Sequence, residues 1–404
     1  MRVIYADPGL RNNLGHHANY CRSIRAELER RGVSVTILAF ATITEELREE
    51  LQAAPLFRAY TYWQSDGDPV AGWLNCFDTS VRTTVEDFNR LKGLRPDDIV
   101  YLNSAQPAQF MALVRWVKAM EPSLRPHVVM EFGTDPGVDV EFAPNGRIVI
   151  RARDYRIDPR AMFYRHAACQ LNEEDLARFH LCTLDAMTSE IYAGLLGRPV
   201  GVLPLLQVSG GAARRRSGKR PITVSVIGHQ RPDKGYQHMP EAARALLAEE
   251  PDIRLLIHNG APDEMAETQS ALRTLAAAEP RLTLNEQTAG PALWQALLDQ
   301  SDLILCPYDP ARFLASLSAV ATEALANGIP ITVPAGTSLS RLLEAYGAPG
   351  TVFECYTASS IVTATRQALA AYDTLAERAA AAAASWEATM GVRNMVQAVL
   401  DRAK

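Results

Sequence analysis

The chain has 404 residues with a net charge of −5; hydrophobic residues make up 48% and charged residues 22%. This length exceeds the roughly 250–300 residues at which a single core stops growing, so two domains are expected. The composition is that of an ordinary globular protein, and the acidic balance argues against a general nucleic-acid binder. No run reaches 18 apolar residues and no export signal opens the sequence, so a cytoplasmic protein is expected.

The six cysteines are scattered and form no C-x-x-C pair. Zinc ligation and dithiol redox chemistry are therefore not predicted, and the sequence indicates no metal site. Most of the cysteines lie in apolar runs, as Cys306 does, which is typical of buried thiols in a reducing compartment.

Short apolar runs alternate with segments of helical periodicity through the first half of the chain. This alternation predicts βαβ units and a largely parallel sheet. The segment 40–95 shows no clear pattern. The predicted strands are 1–6, 33–38, 99–103, 128–132, 181–185 and 200–204, with helices at 19–31 and 107–120.

A small, basic and aperiodic segment at 209–221 predicts a linker, after which the same alternation begins again. We therefore predict a first domain at 1–208, a second at 222–372 and closing helices at 373–404. The predicted strands of this half are 222–227, 254–258, 282–284, 303–305 and 329–333. The predicted helices are 239–249, 265–278, 291–300, 319–326, 374–384 and 392–402.

A polar loop follows the strand 222–227 and contains Gly228, His229, Arg231, Lys234 and Gly235. Ligands of open α/β sheets bind outside the carboxyl ends of the strands. A loop that offers cations and unencumbered amides at such a place suits a diphosphate. A strand that ends in glycine and is followed by solvated charges explains the same residues equally well.

A second loop follows the strand 303–305 and leads into the helix 319–326. Ser318 is placed to cap this helix, whose free amides at Ala319 and Val320 would then form an anion site. Glu323 lies within the first two turns and could accept hydrogen bonds from a ribose diol. Asn259 follows the predicted strand 254–258 and Tyr308 the strand 303–305, and both are further candidates for nucleotide-sugar binding.

Together these motifs resemble the donor domain of the GT4 family, retaining glycosyltransferases of the GT-B type. The family pattern G-R-x-x-x-x-K-G is similar to the first loop, and E-x7-E-A-x-A-x-G-x-P to the second. Matching residues are Gly228, Lys234, Gly235, Glu323, Ala324, Ala326, Gly328 and Pro330. The resemblance implies two Rossmann-like domains that face a cleft, with the last helix crossing back to the first domain.

Three departures from the family pattern bear on the donor site. His229 replaces the loop arginine, although Arg231 could supply a cation two residues later. Ala315 stands where the family has its first glutamate, which puts the contact with the donor sugar in doubt. An insertion at 308–314 is expected to reshape the sugar pocket.

The resemblance implies transfer of a sugar from a UDP- or GDP-linked donor, with retention, no metal and no cofactor. Departure of the nucleoside diphosphate develops negative charge on a phosphate, which preorganised positive groups would stabilise. Lys234, Arg231 and His229, with His16, are the candidate catalytic residues. The sequence does not specify the donor base, the sugar or the acceptor.

The first domain is expected to bind the acceptor, which could be a glycan, a lipid-linked glycan, a protein or a small molecule. Gly15, with His16 and His17, follows the first strand and would allow close approach of a substrate. Glu131 and Asp135 follow another strand and could act as a base or bind sugar hydroxyls. Solvated loop histidines and structural carboxylates are the alternatives.

Other functions fit parts of the sequence. A metal-dependent GT-A enzyme would use a D-x-D motif, but Asp66-Gly67-Asp68 follows no buried strand and is interpreted as a turn. A nucleotide-sugar epimerase or hydrolase, or an inactive GT-B protein that binds a partner or glycan, remain alternatives. Membrane association through Arg214-Arg215-Arg216 is not favoured, and the oligomeric state is not predicted.

Overall fold

The computed structural model describes residues 1–13, 16–62, 69–142, 148–207 and 221–403. The candidate residue Gly15, the Asp66-Gly67-Asp68 triplet and the arginines at 214–216 lie outside these residues. In the part of the chain described, no helix combines the length and the apolar character needed to cross a membrane.

The chain forms two compact units. The first consists of Met1–Asn12, Tyr20–Leu205 and Val392–Lys404, and the second of Asn13–Asn19 and Leu206–Gly391. The short segment with His16 and His17 therefore groups with the second unit, and the end of the chain groups with the first.

The first unit contains a seven-stranded parallel sheet in the order β3-β2-β1-β4-β5-β8-β9, and a separate antiparallel ribbon, β6-β7. Its elements are β1 (Arg2–Asp7), α1 (His17–Arg30), β2 (Ser34–Phe40), α2 (Glu45–Leu51), β3 (Ala54–Phe57), α3 (Pro69–Phe88), β4 (Ile99–Leu102), α4 (Pro107–Lys118), β5 (His127–Glu131), β6 (Val138–Phe142), β7 (Ile148–Ala152), α5 (Arg160–Ala168), α6 (Glu173–Leu176), β8 (Phe179–Thr183), α7 (Ala186–Leu196) and β9 (Gly201–Val202).

The second unit contains a six-stranded parallel sheet in the order β12-β11-β10-β13-β14-β15. Its elements, with the last helix of the chain, are β10 (Ile222–Val226), α8 (Met239–Glu249), β11 (Ile253–His258), α9 (Ala266–Ala278), β12 (Leu282–Asn285), α10 (Pro291–Gln300), β13 (Leu303–Leu305), α11 (Ala319–Ala326), β14 (Ile331–Pro334), α12 (Ser338–Ala345), β15 (Gly350–Phe353), α13 (Ala358–Ala370), α14 (Tyr372–Thr389) and α15 (Gly391–Asp401).

Both sheets have the doubly wound order of Rossmann-like folds. The chain moves outward from β1 to β3 and then returns to β4 on the other side of β1, and the second sheet does the same from β10. In such sheets the switch point between the two directions is where ligands bind. The switch points lie between β1 and β4 and between β10 and β13. The predicted class, two Rossmann-like parallel-sheet domains, is confirmed.

Helix α15 packs in the first unit, against β1 and α1. Met395 is fully buried there, and it lines a small apolar void together with Val3 and Ile24. Arg31 ties the helix to the end of α1, because its guanidinium donates to the Arg393 carbonyl at 2.8 Å and to Gln397 at 2.5 Å.

Candidate functional site

The two loops singled out in the sequence meet at the switch point of the second unit. Their strands, β10 and β13, are hydrogen-bonded neighbours. Gly235 has a φ of +70°, and a Cβ at this position would lie 1.7 Å from the Pro307 carbonyl oxygen. The loop after β10 can therefore rest on the loop after β13 only because residue 235 is glycine.

Lys234 lies where these loops meet. Its ammonium is 5.6 Å from the centroid of the Tyr308 ring, a distance suited to a cation–π contact. A Cβ on Gly228, whose φ is +111°, would lie 3.8 Å from the ammonium and 3.4 Å from a methyl group of Val320. The ammonium is thus close to the first turn of α11.

The ammonium of Lys234 makes no hydrogen bond and no ion pair within the described ranges. Burial, with a smaller contribution from the nearby Arg231, lowers the pKa of Lys234 to about 8. A half-buried cation without an ion-pair partner costs free energy, which an anion bound beside it would offset. This arrangement is typical of a binding site rather than of a structural ion pair.

The amino terminus of α11 completes the positive region. Ser318 caps the helix as predicted, because its Oγ accepts from the Ala321 amide at 3.3 Å. The same hydroxyl donates to the Tyr308 phenol at 3.4 Å. The amides of Ala319 and Val320 have no acceptor among the residues that the structure describes. They carry the positive end of the helix dipole.

The other two predicted cations of the loop pair with carboxylates. Arg231 donates twice to Asp233, at 3.0 and 3.1 Å, and its side chain is 45% exposed. The Nε2 atom of His229 lies 2.8 Å from Glu264. Lys234 therefore differs from Arg231 and His229 in having no such partner.

Glu323 and Asn259 are both buried, at 2% and 0% exposure. Glu323 lies in α11, where the side-chain amide of Asn327 donates to the Glu323 backbone carbonyl at 2.7 Å. The Asn259 side chain donates to Gln269 and accepts from the Ala261 amide, so both ends of its amide hold the loop after β11. Asn259 therefore has a structural role in this loop.

Sequence reasoning missed His258, which fixes the position of Gly228. The Gly228 amide donates to Nδ1 of His258 at 3.1 Å, and Nε2 lies 2.9 Å from the Gln287 carbonyl. Because Nδ1 accepts and Nε2 donates, the imidazole is neutral, and burial lowers its pKa further. The position of His258 at the carboxyl end of a predicted strand was the signal that could have identified it.

The segment that departs from the family pattern packs inside the second unit. Ala315 is buried at 3% exposure, and Phe313 lies against Tyr308 with ring centroids 4.5 Å apart. Arg341 holds the Leu314 carbonyl at 2.8 Å. A small apolar side chain thus occupies the position at which the family pattern has a carboxylate.

In the first unit, the acceptor-side candidates lie in buried polar networks. Glu131 accepts a short hydrogen bond from the Tyr101 phenol. Asp135 accepts from Arg153 at 2.6 Å and from Arg160 at 3.3 Å. Asp158 pairs with the same two arginines, so this loop is held by charges that sequence spacing did not reveal.

The remaining candidates are the two histidines at the start of α1. The rings of His16 and His17 stack with centroids 4.3 Å apart, and His17 is buried. Across the described ranges, no group of three or more histidine, cysteine or acidic side chains could hold a metal ion.

Comparison with solved structures shows the GT-B fold. Sucrose-phosphate synthase from Thermosynechococcus elongatus superposes with a TM-score of 0.62 at 14% identity, covering 96% of each chain. HepE of Anabaena, in complex with UDP-glucose, gives 0.60 at 15% identity, over 99% of this chain and 98% of that one. A putative UDP-N-acetylglucosamine 2-epimerase from Listeria monocytogenes gives 0.58 at 14% identity, over 99% and 94%.

Comparison with curated protein sequences gives no match. The family described as "Family 4 Glycosyltransferase in conflict systems" matches residues 184–403, which is more than half of the chain and includes both loops of the site. The chain therefore belongs to the family-4 glycosyltransferases of conflict systems.

Proposed function

We propose that the protein transfers a glycosyl group from a nucleoside diphosphate sugar to an acceptor, with UDP the first candidate nucleotide. One observation carries this proposal: the Lys234 ammonium lies half-buried, with no ion-pair partner among the described residues, beside the open amino terminus of α11. A diphosphate supplies the negative charge that both groups lack. The UDP-glucose complex of the structurally similar HepE supports uridine as the base.

The proposed reaction breaks the bond between the sugar C1 and the β-phosphate oxygen and forms one between C1 and an acceptor oxygen. Negative charge grows on the leaving β-phosphate, where Lys234 and the amides of Ala319 and Val320 would stabilise it. The acceptor oxygen attacks C1 from the face that the phosphate leaves, so the configuration at C1 is retained. The acceptor proton passes to an oxygen of the leaving phosphate, so no separate base is needed. Arg231 could reach the same phosphate by leaving Asp233.

No step of this proposal needs a metal ion, because a lysine and a helix terminus supply the positive charge. Glu323 is the candidate for the ribose hydroxyls, since it is buried one turn beyond the amides that would meet the phosphate. Ala315 offers the sugar no carboxylate, so we expect sugar recognition to differ from that implied by the GT4 pattern. The acceptor would be bound by the first unit.

Binding of nucleotides tests the donor site directly. Calorimetry of the full chain with UDP, GDP, dTDP and ADP, without metal and then with magnesium, should give saturable metal-independent binding of UDP. Lys234→Ala should weaken that binding at least tenfold, because a charge-assisted contact to phosphate is lost. Lys92→Ala, which removes an exposed lysine of the first unit, is the matched control and should bind normally. Absence of binding in the unaltered protein would overturn the donor site and favour a partner-binding role.

The structural similarity to a putative epimerase supports a second candidate function. An epimerase would interconvert the sugar of the nucleotide sugar with no acceptor present. Incubation of the protein with UDP-linked sugars alone, followed by chromatography of the nucleotide sugars, separates the two: a new nucleotide sugar favours the epimerase, and an unchanged donor favours the transferase.

A further inference from the structure

The short 3₁₀ turn at Pro232–Lys234 is held from three directions. The Asp309 amide donates to the Asp233 carbonyl at 3.0 Å, and Gly235 rests on Pro307. The third contact comes from Tyr356, 124 residues away in sequence, whose hydroxyl donates to the Pro232 carbonyl at 2.9 Å. The first two contacts come from the loop after β13, but the third comes from the loop after β15.

Tyr356 is itself fixed in orientation. Its hydroxyl accepts from the Gln237 side chain at 3.0 Å, so the phenol proton is left to point at Pro232. Its ring meets the His238 ring edge to face, with centroids 4.7 Å apart. Partial burial raises the pKa of Tyr356, so the hydroxyl remains a donor throughout the neutral range.

The position of this turn determines which groups lie around the Lys234 ammonium. The titratable and charged groups that face its ammonium are Arg231 and Asp233 on the turn itself, with Cys306 and Tyr308 from the loop after β13. Burial raises the pKa of the Cys306 thiol to about 12 and keeps the Tyr308 phenol neutral. Asp233 is the acid among them, and it pairs with Arg231, so its attraction raises the pKa of Lys234 less than burial lowers it. The position of the ammonium depends on the turn, because Lys234 is the last residue of that turn.

We propose that Tyr356 is a positioning residue of the donor site: its hydroxyl holds the Pro232–Lys234 turn so that the Lys234 ammonium meets the diphosphate of the donor. This inference rests on the proposed function of the site. Tyr356 acts through the turn, because its hydroxyl donates a hydrogen bond to the Pro232 carbonyl and its ring packs edge to face against His238.

The test compares two Tyr→Phe variants of the full chain in their binding of UDP. Tyr356→Phe keeps the ring and removes the hydroxyl, which donates to the Pro232 carbonyl and accepts from Gln237, so UDP should bind about two- to tenfold more weakly. Tyr346→Phe is the matched control, because it removes the 3.0 Å bond to Thr389 in the same unit. It should bind UDP as the unaltered protein does.

The pH dependence of binding separates positioning from mere stability. In the unaltered protein, UDP affinity should fall as the pH rises through about 8, when Lys234 loses its proton. A loosened turn lets water reach the ammonium, so in Tyr356→Phe the fall should move to higher pH. In Lys234→Met the fall should be absent.

Three results would count against particular claims. A Tyr356→Phe protein that melts earlier but keeps the affinity and pH midpoint of the unaltered protein overturns the positioning role and leaves the transferase proposal standing. Lack of UDP binding by the unaltered protein overturns the proposed function instead. If Tyr356→Phe does not fold, Gln237→Leu frees the phenol from its second partner and should shift affinity and midpoint in the same direction; an unchanged Gln237→Leu protein counts against the inference.

Discussion

Lys234 is the residue that most clearly distinguishes this site from a charged surface loop. Arg231 and His229 pair with carboxylates, as surface cations commonly do, whereas the half-buried Lys234 lies near an aromatic face and forms no ion pair among the described residues. Its pKa is lowered to about 8 because the charged form is disfavoured by burial. A bound dianion would favour that charged form, so ligand binding and proton binding must be linked.

This linkage gives a prediction with a defined sign. At pH 8.5 most free protein carries a neutral Lys234, and UDP should raise the pKa of Lys234, so binding should take up at most about three-quarters of a proton. Below about pH 7 the ammonium is already charged, and this uptake should vanish. Calorimetry in two buffers of different ionisation enthalpy measures the uptake at each pH. Equal enthalpies in both buffers at pH 8.5, or an uptake that survives in Lys234→Met, would contradict the assignment.

At the scale of elements, the site depends on how closely two loops approach each other. The loops after β10 and β13 touch through Gly235 and Pro307, where no Cβ can be accommodated. The approach brings the Lys234 turn to the amino terminus of α11. Any side chain at residue 235 must separate the loops, which would move the ammonium away from the helix amides.

Gly235→Ala should therefore abolish UDP binding and destabilise the protein by more than about 2 kcal/mol, since both a clash and a positive φ are imposed. Gly347→Ala measures the cost of the positive φ alone. Gly347 has a φ of +80°, but a Cβ at this position would meet nothing within 4 Å. That control should cost about 1 kcal/mol and leave binding unchanged. Thermal unfolding and UDP titration of both variants make the comparison, and equal effects of the two substitutions would disprove the close-approach argument.

Elements with local signals at both ends could be predicted from the sequence. Helix α11 begins and ends as expected, because Ser318 caps it and Asn327-Gly328 stops it. Helix α3 was missed although its sequence is as amphipathic as that of the predicted helix α4, and the short β6-β7 ribbon was missed as well.

Contacts between distant segments could not be predicted. The prediction for Asp135 rested on its place after a strand and did not include its hydrogen bonds with Arg153 and Arg160, 18 and 25 residues further along the chain. Likewise no spacing rule connects Tyr356 with Pro232. Both pairings depend on which loops the parallel sheet brings to the same edge.

At the scale of the whole molecule, the chain crosses between the two units four times: the short segment Asn13–Asn19 accounts for two crossings and the segment Leu206–Gly391 for the other two. In the last two, the chain leaves the first unit after Leu205 and returns to it at Val392. Residues next to the last two crossings are joined within the second unit, because the Trp386 indole donates to Gln207 at 2.7 Å. Gly391, with a φ of +84°, leaves room for the same amide: a Cβ there would lie 3.1 Å from the Gln207 oxygen.

The Gln207–Trp386 bond should therefore contribute a measurable coupling energy, although its partners are 179 residues apart. Trp386 is only 1% exposed and Gln207 is half-buried, so the donor side of the bond is shielded from water. A double-mutant cycle of Gln207→Leu and Trp386→Phe, followed by urea unfolding, should give a coupling of about 1 kcal/mol. The same cycle with Trp294→Phe, whose indole makes no hydrogen bond among the described residues, should give none. If the two substitutions of the Trp386 cycle change the free energy of unfolding additively, the residues next to the last two crossings are held by packing alone. Gly391→Ala would then destabilise the protein only through the positive φ at that position.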